Sequence, residues 1–171
     1  MSAAVEFSRP VRLARVGSEP YRQEIGATAA EREALARRFD LVALDRLCAS
    51  VELVRLGGRA VMLRAIFEAE FVQSCIVTLD PVAGVLSEGF GLVFGPPESE
   101  EETAALAGDD VAFEPLLGDT IDIGEAVAQE FSLALPPFPR NPGADAVEAA
   151  AEEHPFAGLS QFLARPDDEP R

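Results

Sequence analysis

Between residues 47 and 94 apolar side chains recur at every second position, and that alternation limits the fold more than any other feature. Leu47, Ala49, Val51 and Leu53 alternate with Cys48, Ser50 and Glu52. Val61, Leu63, Ala65, Phe67, Ala69 and Phe71 repeat the pattern. Leu86, Phe90, Leu92 and Phe94 form a third apolar face, with Glu88 the exception on it. A period of two places one set of side chains on one face of a strand, so each run predicts a half-buried strand. Gly57-Gly58 separates the first two runs and predicts a two-residue hairpin turn. The second run continues extended through Cys75, Val77 and Leu79, and Asp80, Pro81 and Gly84 mark the next reversal. The result is a three-stranded antiparallel meander, curled where Gly89, Gly91 and Gly95 permit a bulge or bend.

Two helices flank the meander. Thr28 followed by Glu31 has the spacing of a capping box and predicts a helix over residues 28–39, with Leu35 and Phe39 on one face. Asp122 followed by Glu125 repeats the start signal. Ile123, Val127, Phe131 and Leu135 then lie at i, i+4, i+8 and i+12, an apolar stripe along a helix over residues 122–135. Pro136 and Pro137 end it, because neither donates an N–H. Phe138, Pro139 and Arg140 continue as a stiff, extended exit. The fold class is therefore α+β: a curled antiparallel β-meander with two flanking amphipathic helices and a short C-terminal helix.

The rest of the chain divides by composition. With 171 residues, 48% of them apolar, it holds enough interior for one domain with a real core. Residues 1–140 are read as that domain, and residues 141–171 as a linker, a short helix over 155–164 and a frayed tail. Residues 5–16 read as an extended segment with Arg9, Arg12 and Arg15 on the wet side of an edge strand. Residues 18–26, bounded by Gly17, Pro20 and Gly26, read as a loop. Residues 96–115 open with two prolines and a run of acids and read as an exposed, mobile acidic loop. No apolar run is long enough to span a membrane, and the first residues lack the apolar core of a signal peptide.

Charge is uneven. Residues 1–75 hold 11 arginines against 10 acids, whereas residues 76–171 hold 3 against 20, within a net charge of −16. The acidic half repels phosphate backbones at long range, which disfavours direct, nonspecific nucleic-acid binding there and favours a basic protein partner. The plain alternative is a solvated face that keeps the chain in solution. Catalytic signals are thin. Cys48 and Cys75 are the only cysteines and His154 the only histidine. Two cysteines make no disulfide framework, which suggests a reducing, cytoplasmic setting. A Cys75–His154 nucleophile pair can be drawn, but nothing in the spacing brings the two together. No glycine-rich phosphate loop and no Ca²⁺-loop spacing occurs.

Three segments in this order resemble the large ribosomal RNA subunit accumulation protein family, the YceD-like proteins of bacteria and chloroplasts. They are QSCIVTLDP at residues 73–81, IDIGEAVAQEFSLALP at residues 121–136, and HPFAGL at residues 154–159. EFSRP at residues 6–10 and FPRNPGA at residues 138–144 suit the alphaproteobacterial branch. The resemblance implies a nonenzymatic ribosome-assembly factor that supports accumulation of large-subunit (23S) ribosomal RNA. Many members carry a Cys-x-x-Cys pair at the strand end, with further Cys and His after the proline-terminated helix. Here Thr78 stands where the second cysteine would be, and residues 141–144 supply no ligand. No metal and no cofactor is therefore expected, with packing around Cys75, Val77 and Leu79 in the metal's place. A basic ribosomal protein or a pre-large-subunit particle is the expected partner. Phe138, Pro139, Arg140, Pro155, Phe156 and Leu159 are the candidate anchors, against the alternative that both segments only cover the sheet. A small-ligand-binding or enzymatic sheet with a pocket near Cys75 is the competing class.

Overall fold

The computed structural model describes residues 5–101, 103 and 111–144. Its strands are β1 (Pro10–Arg12), β2 (Tyr21–Gly26), β3 (Ala43–Gly57), β4 (Ala60–Ser74), β5 (Pro81–Gly95), β6 (Ala112–Pro115) and β7 (Thr120–Asp122). Its two long helices are α1 (Ala29–Arg38) and α2 (Ile123–Ala134). A five-stranded sheet runs in the order β2-β3-β4-β5-β6, and β1 with β7 makes a separate two-stranded ribbon. All pairs are antiparallel except β5–β6, which is parallel. This is the expected α+β class, with β3, β4 and β5 as the meander.

The core lies between one face of the sheet and α2. Leu47, Ala49, Val51 and Leu53 of β3 are buried, as is the whole expected set of β4 from Val61 to Phe71. Ile123, Val127 and Phe131 of α2 are fully buried against them. The Phe131 ring meets Phe39, Phe67 and Phe71 edge-on, with centroids 5.9, 6.2 and 5.8 Å away. Burying one such side chain contributes about 2–3 kcal/mol, and each edge-on ring pair adds roughly 0.5–1.5 kcal/mol. The α2 stripe thus fixes the helix on the meander.

The helix caps differ in one detail from the sequence reading. Thr28 and Glu31 form the full reciprocal box. Asp122 caps α2, its Oδ1 accepting from the N–H groups of Gly124 and Glu125 at 3.1 Å each. Glu125 does not reach back to complete a second box. It pairs with Arg38 at 2.7 Å, because a guanidinium from α1 offers a stronger partner than one backbone N–H. Asp122 also accepts from the Arg9 N–H at 2.7 Å and the Ser8 hydroxyl. One carboxylate therefore joins the N-terminal segment to the start of α2.

Several boundaries moved. Residues 21–26, read as loop, are β2, the sheet's edge strand opposite β3. Only Ile25 in β2 is buried, so the strand is held by backbone hydrogen bonds and the Arg22–Glu52 ion pair and leaves little apolar signal. The N-terminal strand is only three residues long and pairs with β7, and Leu13–Arg15 then turn as a 3-10 helix. Arg9 is not on a wet face; it is half-buried and bidentate with Glu31. The β3–β4 turn falls at residues 58–59, one position later than expected, since Gly57 still pairs with Ala60. Gly58 takes the left-handed conformation (φ +51°) that the turn requires. The extended run of β4 stops at Ser74: residues 75–80 form a turn, closed by Cys75 N–H to Asp80 O at 2.8 Å and Leu79 N–H to Cys75 O at 3.0 Å. Leu79 sits there at φ +63°. Gly84, read as part of the reversal, lies inside β5, where its missing Cβ leaves room for the Phe71 ring. Residues 112–115, read as the end of the acidic loop, pair with β5 as β6. The predicted helix over 155–164, with Pro155, Phe156 and Leu159, and also His154, lies outside the described residues.

Candidate docking surface

The chain leaves α2 through Pro136, Pro137, Phe138 and Pro139, and these prolines cannot donate hydrogen bonds. Their carbonyls can accept them, and the end of β4 supplies the donors. Gln73 Nε2 donates to Pro136 O at 3.1 Å, and Ile76 N–H donates to Pro139 O at 3.0 Å. The exit is thereby tied along the turn that follows β4. Asn141 N–H then points at the Cys75 sulfur, 3.4 Å away, and Thr78 N–H approaches the same atom at 3.5 Å.

Cys75 is fully buried at this junction. The Thr78 hydroxyl first, and then the N–H groups of Asn141, Thr78 and Val77, hold the thiol down at about 6 against the opposing effect of burial. The sulfur is an acceptor for the exit segment, a structural role. The packing expected around it is absent for two of the three residues: Val77 is 43% and Leu79 77% exposed, because the turn swings both outward. The donor set does not fit zinc. Cys75 is the one thiol at the junction, and Asn141 meets it with an N–H and not with a lone pair. Among the described residues no cluster of His, Cys, Asp and Glu is suited to hold a metal ion.

The same junction puts apolar groups in water. Phe138 is 74% exposed, and Ile76, Val77 and Leu79 are exposed on the adjoining turn. Arg140 is exposed beside them. Of the six expected anchors the structure thus places Phe138, Pro139 and Arg140 at this end, and adds Ile76 together with Val77 and Leu79, the two residues expected to pack around Cys75. The turn formers Asp80 and Pro81 were the available signal for their exposure. Cavities among the described residues lie elsewhere. One of about 530 Å³ lies on the outer sheet face between Arg22 and Arg64, one of about 450 Å³ lies between α1 and the start of β3, and one of about 180 Å³ lies between α2 and β5. None of these three is lined by Cys75. No helix among the described residues is long and apolar enough to cross a membrane.

Fold and junction together define a small α+β protein with an exposed apolar end and no assembled nucleophile–base pair among its described residues. Residues 63–163 match the family described as large ribosomal RNA subunit accumulation protein YceD. The match covers more than half of the chain, and the chain belongs to that family. Among curated proteins and solved structures, none matches it.

Proposed function

We propose that this chain is a nonenzymatic ribosome-assembly factor that supports accumulation of large-subunit (23S) ribosomal RNA. It docks a basic ribosomal protein or a pre-large-subunit particle. The observation that carries the reading is the exposed Phe138, on a proline exit hydrogen-bonded to Gln73 and Ile76, in an acidic chain of this family. An aromatic fixed on a stiff backbone loses little entropy on binding and makes a good anchor. The surplus of acids in residues 76–171 supplies the charge complement that steers a basic partner. It also works against direct, nonspecific nucleic-acid binding by that half. Pro155, Phe156 and Leu159 are proposed as a second anchor. The alphaproteobacterial type rests on residues 6–10 and 138–144, and a cytoplasmic location follows from the role.

Association of the tagged protein with pre-large-subunit particles tests the reading. Phe138→Ala/Arg140→Ala and, separately, Phe156→Ala/Leu159→Ala are expected to remain folded by circular dichroism and to bind at least about tenfold more weakly, as loss of an anchor does. Two folded variants that associate as strongly as the parent would remove both segments from the docking surface. Association indifferent to salt would remove the acidic half from recognition.

A further inference from the structure

The apolar face of β5 carries one carboxylate, and the structure gives it company. Glu88 pairs with Phe67 across β4–β5, so it shares the helix-facing side of the sheet with Phe67. Glu114 pairs with Phe94 across β5–β6 and lies on that same side. Glu130 projects from α2 toward them. Burial first, and then repulsion from Glu114, push its carboxyl above the ordinary carboxylate range. Between α2 and β5 lies the cavity of about 180 Å³, with Phe67 and Phe90 as its floor, Glu88 and Glu130 on its walls and Leu133 at its lip. The two floor rings are 6.2 Å apart and tilted, and Leu133 is 78% exposed. Among the described residues none of the three glutamates has an ion-pair or side-chain hydrogen-bond partner, although arginines elsewhere in the chain are paired with acids.

The lining selects one kind of occupant. An anion is repelled by the glutamates. An apolar ligand would leave them desolvated and unpaired. A metal ion finds no suitable ligand group among the described residues. A planar guanidinium satisfies both surfaces, since it stacks on phenyl rings and takes carboxylates at its edge through charge-assisted hydrogen bonds. We propose that the cleft between α2 and β5 is a binding pocket for an arginine side chain of a basic polypeptide, stacked on the partly exposed Phe90 ring, which buried Phe67 backs, and held by Glu88 and Glu130. The pocket shares the basic partner of the proposed function and uses a different surface from Phe138.

The full chain with a fluorescent tetra-arginine peptide tests this, with the same peptide in citrulline as a neutral control. No ribosomal particle is present, so the result is separate from the docking test above. The arginine peptide is expected to bind and the citrulline peptide not. Glu88→Gln/Glu130→Gln is expected to weaken binding at least about tenfold, while Glu98→Gln/Glu101→Gln, which removes the same charge from exposed positions, changes it less than about twofold, as screened surface charges do. Methyl resonances of Leu133 in the parent should shift on peptide addition. Equal losses in both double variants, undiminished binding by Glu88→Gln/Glu130→Gln, equal binding of the citrulline peptide, or resonance shifts that spare Leu133 would each overturn the proposal.

Discussion

Gly124→Ala sets helix propensity against packing, and the structure decides which wins. Gly124 is the second residue of α2, with ordinary helical backbone, so alanine should stabilise by up to about 1 kcal/mol on propensity alone. A Cβ at Gly124, however, would fall on the carbonyl oxygen of Phe7, and 3.0 Å from the backbone N of Arg9. Neither is the far end of a flexible side chain. The segment is pinned by the β1–β7 ribbon and by the Arg9 N–H to Asp122. It must therefore lift. Lifting exposes Phe7, which is fully buried, at about 2–3 kcal/mol. It also breaks a hydrogen bond to a carboxylate, worth roughly 1.5–3 kcal/mol. Less the propensity gain, the net destabilisation is about 2.5–5 kcal/mol. Urea unfolding followed by circular dichroism measures it. If the segment detaches in the folded state, the m-value should also fall, because less surface remains to be exposed. Phe7→Ala combined with Gly124→Ala should cost much less than the two singles added, since the second change finds the segment already loose. Equal or greater stability of Gly124→Ala, or strict additivity with Phe7→Ala, would refute the reasoning.

Two further outcomes concern titrating groups. Glu31 is held at about 2, first by the Arg9 guanidinium that grips it through bonds of 2.7 and 2.9 Å. A depressed carboxyl stabilises the fold above its unfolded value near 4.3, so Glu31→Gln should cost about 1–2 kcal/mol at neutral pH after allowance for solvent screening. That difference should vanish as pH falls toward about 2 in pH-dependent urea melts, and a pH-independent gap would contradict it. Cys75, held at about 6, should show thiolate ultraviolet absorbance rising well below the ordinary thiol range, and Cys75→Ala should abolish that step. Its stabilising contribution is present above the unfolded thiol value and lost as pH falls through about 6; a titration midpoint at the ordinary value would refute the N–H cradle.

What was readable in the chain follows from how each residue is held. The meander and the α2 stripe were legible because burial and periodicity coincide in Leu47 through Phe71 and in Ile123, Val127 and Phe131. β2 was not, since Tyr21, Arg22, Gln23 and Glu24 stay at least partly exposed and join the sheet through backbone hydrogen bonds and an Arg22–Glu52 ion pair, which carry no apolar periodicity. The turn at residues 75–80 was misread because Val77 and Leu79 are apolar yet face outward, and left-handed φ at a leucine has no compositional mark. Phe138, Pro139 and Arg140 could be picked from the proline pattern. Their tie to Gln73 and Ile76 could not, as the two segments lie more than sixty residues apart in the chain. Glu88 was visible as the odd acid on an apolar face; Glu114 and Glu130 joined it only through the parallel strand and the helix.

The parallel placement of β6 bears on self-association. Three strands of 15 residues each would be a ready template for amyloid-like stacking if their margins lay open. One margin is closed by β2, short and carrying Arg22 and Glu24. The other is closed by β6, four residues long and ending at Pro115, which has no N–H to offer an incoming chain. Both closing strands come from sequence outside the meander. During folding the long central strands stay open to neighbouring molecules until residues 21–26 and 112–115 arrive. The chain's strong negative charge opposes such encounters during that interval.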